Sequence, residues 1–239
     1  MELLKAGARE WGLELTAGQV EAFELYYQQL IIWNERANLT AITDYEEVQV
    51  KHFLDSLSCL QVLTTYPPQT RYIDIGAGAG FPGLPLKIVR PQMRLTLLEA
   101  TAKKALFLEH IMEKLELQDV EIIRGRAEEL AQQPVHRELY EIALARAVAQ
   151  LPVLLEYALP LLMIGGIFVA QKGMEIEGEV EAAQPAMEIL GGRMREVRAV
   201  HLPGLEALRH LVVVDKVAPT PYKYPRRAGI PAKRPLTGS

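Results

Sequence analysis

Cysteine is nearly absent. Cys59 stands alone among 239 residues, which rules out an internal disulfide and a thiolate-built metal cluster, as expected of a chain kept in a reducing compartment. Long apolar runs are missing as well. The longest, Ala158 to Ala170, is interrupted by Pro160, Gly165 and Gly166 and is too short to span a bilayer. The opening residues Met1-Glu2-Leu3-Leu4-Lys5 carry charge where an export signal needs an apolar block. Together these absences predict a soluble, cytoplasmic protein with no metal and no membrane partner. Positive charge is also in deficit, and a net charge of −4 on its face argues against a polyanionic partner. The distribution reverses that inference, because residues 219–239 hold Lys223, Arg226, Arg227, Lys233 and Arg234 with no acid, leaving 21 basic against 30 acidic residues in the remainder. A short basic tail sits on an acidic body.

What is present is enough for a full core, with 49% apolar residues. From Gln19 to Asn34 apolar residues recur at helical spacing (Val20, Phe23, Tyr27, Leu30, Ile31), and a second amphipathic stretch runs from about Tyr45 to Leu63. Pro67-Pro68 breaks the pattern. Beyond it, strands are expected at Tyr72–Ile75, Leu95–Leu98, Val120–Ile123, Ile142–Leu144, Ile167–Ala170 and Leu211–Val217. They alternate with helices near Leu84–Val89, Lys103–Leu115, Glu128–Ala131, Val153–Tyr157 and Glu177–Ile189. This order predicts a doubly wound α/β fold, a parallel sheet covered on both faces. The expected division is a helical N-terminal extension (1–66), a Rossmann-like core (67–218) and a tail (219–239). Prolines at 219, 221, 225, 231 and 235 exclude regular helix from that tail, which should lie extended on the surface.

The first strand runs into Asp74-Ile75-Gly76-Ala77-Gly78-Ala79-Gly80-Phe81-Pro82-Gly83. Gly78, Gly80 and Gly83 spell a dinucleotide pattern, while Gly76, Gly78 and Gly80 spell G-x-G-x-G directly after the strand. In the first register a pyrophosphate would sit on the helix N-terminus, where Asp74 would repel it. S-adenosylmethionine has no phosphate and carries an ammonium and a sulfonium, so a carboxylate beside close-approaching backbone suits it better. Glu99, at the end of the second strand, is placed to accept from both ribose hydroxyls. Ala127 and Glu128 could read the adenine, and Arg146 closes the same carboxyl edge. Each has a plainer reading: Asp74 as a helix cap, Glu99 as a solvated strand end, Glu128 as a helix-start acid favoured by the dipole. Trp33 reads as core and His52 as a structural polar contact. Lys172 ends a buried strand, where an ammonium needs a phosphate or carboxylate partner.

Several blocks in order resemble one family: Trp33 to Thr40, His52 to Ser56, Asp74 to Leu86, Leu98 to Lys104, Gly125 to Glu128, Ala145 to Ala149, Val169 to Gly173, and Tyr224 to Gly229. They are similar to the bacterial small-subunit ribosomal RNA guanine-N7 methyltransferases, once called glucose-inhibited division protein B. The resemblance spans almost the whole chain. It implies a class I S-adenosylmethionine-dependent methyltransferase fold with a seven-stranded sheet, and methylation of guanine N7 at one nucleotide in the decoding region of 16S rRNA. By position it implies cofactor contacts at Gly76, Gly78, Phe81, Glu99, Ala100, Thr101, Ala127, Glu128 and Arg146. With it go the expectations that Arg146 and Lys172 serve catalysis, that Lys223, Arg226 and Arg227 bind RNA, and that a monomer acts on a small-subunit particle. The competing readings are an NAD-type oxidoreductase on the same sheet and a methyltransferase with a non-RNA substrate.

Overall fold

The structure, a computed structural model, describes residues 1–63, 66–67, 69–173, 176–203 and 208–237. Of the expected proline break, Pro67 is described and Pro68 lies outside the described residues. The strands β1 (Arg71–Ile75), β2 (Arg94–Glu99), β3 (Val120–Arg124), β4 (Tyr140–Arg146), β5 (Leu162–Lys172), β6 (Gly192–Val200) and β7 (Arg209–Lys216) form one sheet in the order 3-2-1-4-5-7-6. Strand order reverses between β1 and β4, which pair in parallel, so a crevice opens at the carboxyl ends of these strands.

The sheet is not wholly parallel, as the alternation had predicted. β7 runs antiparallel to both β5 and β6. β6 had no counterpart among the expected strands because its nine residues include Arg193, Arg195, Glu196 and Arg198 and no apolar run. It is an edge strand, where charge blunts pairing with other chains.

The period of two along each strand sorts the core. Tyr72, Leu95, Leu97, Ile142 and Leu144 point to one face, packed by α1 (Glu2–Glu10), α2 (Ala17–Ala37), α5 (Gly83–Val89) and α6 (Ala102–Lys114). Ile73, Ile75, Ala143 and Ala145 point to the other, under α7 (Ala127–Leu130), α8 (Leu151–Ala158) and α9 (Glu177–Leu190). Residues before the sheet therefore share one core with it. The stretch expected helical from Tyr45 is α3 (Tyr45–Val48), a π-helical segment Gln49–Leu54, α4 (Asp55–Leu57) and a 3-10 turn Ser58–Gln61.

Capping sets the entry to the site. Thr16 and Gln19 form a reciprocal capping box that starts α2, and Asn38 ends it in the left-handed conformation. One turn inside that end, the Asn34 amide oxygen accepts from the backbone N–H groups of Leu39 (2.7 Å) and Thr40 (2.9 Å). Further up the same helix, the buried Tyr26 hydroxyl donates to the carbonyl of Ala79 in the glycine loop.

The tail lies over the second face, and it is not wholly extended as the prolines had suggested. A short α10 (Ile230–Lys233) forms there, with proline in its first turn where no N–H is needed. Backbone carbonyls of the tail take the free donors beneath them: Gln132 Nε2 donates to Pro225 (2.7 Å), and Arg137 to Tyr224 (2.9 Å) and Thr220 (2.8 Å).

Candidate active site

A cavity of about 550 Å³ opens at the carboxyl edge where β1, β2 and β4 end. Gly76, Gly78 and Phe81 of the loop after β1 line it, with Glu99 and Ala100 after β2. Ala127 and Glu128, after β3, and Arg146, at the end of β4, complete the strand-end wall. Thr101 does not line the cavity; its N–H donates to Glu99 Oε1 (2.6 Å).

Glu99 is buried, 6% exposed, and its other oxygen accepts from the Gly78 N–H at 2.8 Å. Gly78 has φ +60, a left-handed conformation that costs glycine nothing and that turns its N–H toward the carboxylate. One side chain thus joins the glycine loop to the end of β2. Both oxygens retain a lone pair for a ligand's hydroxyls.

Asp74 lies behind the loop and not on the cavity wall. It is fully buried, and its Oδ2 accepts from the Gly83 N–H at 2.8 Å at the start of α5. A Cβ at residue 83 would fall 2.8 Å from that oxygen, so glycine is demanded there by close approach. The N–H that a dinucleotide register would offer to a pyrophosphate is therefore already taken. The structure matches the helix-cap reading of Asp74, while Oδ1 is buried with no hydrogen-bond partner. Burial pushes the carboxyl up to about 7, with the Gly83 hydrogen bond and the Arg146 charge pulling the other way.

Arg146 is held on three sides. Nη1 donates to the Lys51 carbonyl (3.2 Å) and to Asp55 Oδ2 (3.1 Å), Nη2 lies 3.3 Å from His52 Nδ1, and the guanidinium stands 4.8 Å over the Phe81 ring. His52 stacks on Phe81 at 4.6 Å. Burial first, and the Arg146 charge second, push the His52 imidazole down to about 3, so it is neutral at physiological pH. Burial raises Asp55, against the pull of Arg146.

His52, Thr40 and Lys104 also line the cavity, and composition and spacing did not assign them to it. The signal available was local: His52 and Asp55 are one helical turn apart and so share a face. No local rule says that this face meets Arg146, more than ninety residues away in sequence.

Other expected residues lie elsewhere. Lys172 donates to Glu179 Oε1 (2.5 Å) and to the Ala149 carbonyl (2.7 Å). It found a carboxylate, but it does not line the cavity. Trp33 packs against Phe107 under the Arg36 guanidinium, in keeping with the core reading. Glu128 Oε1 accepts from Gly229 of the tail at 2.8 Å, and its carboxylate adds to the burial that pushes Tyr157 up to about 12.

In the tail, Arg226 is engaged from its backbone N–H, Nε and Nη2 by the fully buried Glu156. Lys223 and Arg227 are exposed, and among the described residues neither makes an ion pair. With Tyr222 and Glu128 they line a groove of about 680 Å³ next to the cavity. No group of three metal-ligating side chains occurs among the described residues, and no described helix is long and apolar enough to cross a membrane.

Against known proteins, residues 19–212 match the family model described as rRNA small subunit methyltransferase G. The chain is 52% identical over 235 residues to the ribosomal RNA small subunit methyltransferase G of Roseiflexus castenholzii, covering 98% of this chain and 99% of that one. It is 46% identical to the protein of the same name from Alkaliphilus metalliredigens, covering 98% of each. Among solved structures, TrmN from Thermus thermophilus has a TM-score of 0.53 at 19% identity, over 69% of this chain and 49% of that one. The M. jannaschii TYW2 structure in complex with AdoMet has a TM-score of 0.52 at 13% identity, over 67% and 74%. These structures establish a likeness of fold alone.

Proposed function

The chain belongs to the rRNA small subunit methyltransferase G family, and from that membership we propose that it transfers the methyl group of S-adenosylmethionine to N7 of one guanine in the decoding region of 16S rRNA. The observation that carries this reading is the strand-end cavity in which Glu99, the glycine loop and Arg146 meet. Its residues fit the donor. The volume is adequate for a nucleoside with an amino-acid arm, Glu99 has acceptor capacity for ribose hydroxyls, and the Gly83 N–H that a pyrophosphate would need is already taken by Asp74. That occupied donor also weighs against the NAD-type oxidoreductase.

When bound, S-adenosylmethionine supplies an electrophilic methyl on a positively charged sulfur. Guanine N7 presents an in-plane lone pair at neutral pH, so no residue has to remove a proton. The chain's own residues hold and orient. Glu99 would hold the ribose hydroxyls, Ala127 and Glu128 would border the adenine, and Gly76, Gly78, Phe81 and Ala100 would shape the wall around them. Arg146, its charge shared with Asp55, would hold the carboxylate of the amino-acid arm. Acceleration then comes from bringing two reactants to near-attack geometry. Lys172 acts by tying the end of β5 to α9 through Glu179. Lys223 and Arg227 contact RNA phosphates, while Arg226 anchors the tail that presents them. The protein acts as a cytoplasmic monomer on a small-subunit particle.

The test is radiolabel transfer from S-adenosylmethionine to small-subunit rRNA from a strain lacking the protein, with mapping of the product. Label should appear on one guanine, and replacing that guanine with its 7-deaza analogue should abolish transfer while RNA binding persists. Label on another atom, or on the analogue, refutes the assignment.

A further inference from the structure

The hydrogen bonds around His52 determine the polarity of a neighbouring group in the cavity wall. Arg146 presents a fork of two N–H donors, one to the Lys51 carbonyl and one to His52 Nδ1. His52 Nδ1 also lies 3.2 Å from the Lys51 carbonyl, but that carbonyl already accepts from Arg146 and a guanidinium has donors only, so beside this cation Nδ1 offers its lone pair. A hydrogen there would face an N–H of a cation. In a neutral imidazole the proton then sits on Nε2, which donates to Thr40 Oγ1 at 2.7 Å. Thr40 Oγ1 also accepts from the Ile42 N–H at 3.0 Å, closing a short turn. A hydroxyl has two lone pairs and one hydrogen. Both lone pairs are used, and the hydrogen has no protein acceptor among the described residues. Thr40 lines the cavity, half-buried, on a backbone that the Asn34 side chain pins in place. It is a donor of fixed polarity and no net charge.

We propose that Thr40 is a specificity-determining residue whose hydroxyl donates to O6 of the target guanine and rejects adenine, which presents an amino group at that position. The inference rests on the guanine-N7 reading above. Charge matching separates the two acceptors that could meet this wall. The carboxylate of the amino-acid arm matches the Arg146 cation, and a neutral carbonyl oxygen matches the neutral hydroxyl. Position points the same way. Thr40 comes from the segment between α2 and α3, whereas the cofactor-binding candidates all come from strand ends of the sheet. O6 and N7 lie on the same edge of guanine, so a donor on O6 also orients N7.

The experiment measures kcat/KM on small-subunit RNA carrying guanosine, inosine or 2-aminopurine riboside at the target position, with the wild-type protein, Thr40→Val and Thr40→Ser. Inosine keeps O6 and should react within about threefold of guanosine. 2-Aminopurine lacks O6 and should react about tenfold or more slowly, the size expected when a directional hydrogen bond is lost. Thr40→Val should bring guanosine down to the 2-aminopurine rate, so that the ratio collapses toward one, and Thr40→Ser should restore most of it. The Kd for S-adenosylmethionine should stay within about twofold of wild type in both variants. Loss of cofactor affinity with the ratio preserved would assign Thr40 to the amino-acid arm and overturn the proposal. Equal wild-type rates on guanosine and 2-aminopurine would overturn it even if Thr40→Val fails to fold. Absence of transfer to every RNA would instead refute the functional reading itself.

Discussion

Arg226 has two incompatible readings, an RNA contact and a structural anchor, and stability separates them. Glu156 is fully buried and accepts from the Arg226 backbone N–H at 2.8 Å, from Nε at 2.9 Å and from Nη2 at 2.6 Å. The Arg226 side chain is itself only 25% exposed. Truncation to alanine leaves a carboxylate in the core with one backbone donor. Breaking a buried pair from one side costs about 3–5 kcal/mol, a large share of the roughly 5–15 kcal/mol that holds a domain folded. At about 2–4 °C per kcal/mol for a protein of this length, Arg226→Ala should lower the melting temperature by roughly 6–20 °C. Removing both charges, as Arg226→Met with Glu156→Leu, should recover most of the loss, because a well-packed apolar pair avoids desolvating the carboxylate. The assay is thermal and urea unfolding, with RNA binding measured at a temperature where every variant is folded. Arg226→Ala within about 0.5 kcal/mol of wild type, together with lost RNA affinity, would refute the structural reading.

Three further outcomes follow from the same geometry. Glu99→Ala should weaken S-adenosylmethionine binding by about 1.5–3 kcal/mol, the value of hydrogen bonds to a charged group, with RNA affinity unchanged; calorimetric titration checks it, and wild-type affinity refutes the site. Because burial raises the Asp74 carboxyl to about 7 from its usual 3.8, its contribution to stability is complete below about pH 4 and lost as pH rises through about 7. Asp74→Asn should therefore flatten the decline in melting temperature between about pH 4 and pH 7, and an unchanged slope refutes the assignment. Lys223→Ala with Arg227→Ala should reduce the salt slope of RNA binding by about two at unaltered stability, whereas an unaltered slope places the RNA elsewhere.

Much of the fold is written locally in the chain. The five parallel strands follow from short apolar runs, and their parallel order from the helices between them. The glycine loop and Glu99 were legible for the same reason, since a strand end and the turn after it are set by a few consecutive residues. What only tertiary structure decided is the company each charge keeps. Asp74 is a core carboxylate because α5 starts against it. Arg226 is paired because Glu156, seventy residues away in sequence, is buried beneath the tail, and Lys172 is occupied by Glu179 on the next helix. Thr40 reaches the cavity because Asn34 holds its backbone and His52 stacks on the glycine loop's Phe81. Periodicity and propensity act over a turn or a strand, whereas a charge or a hydroxyl takes its role from partners that only folding brings within about 3 Å.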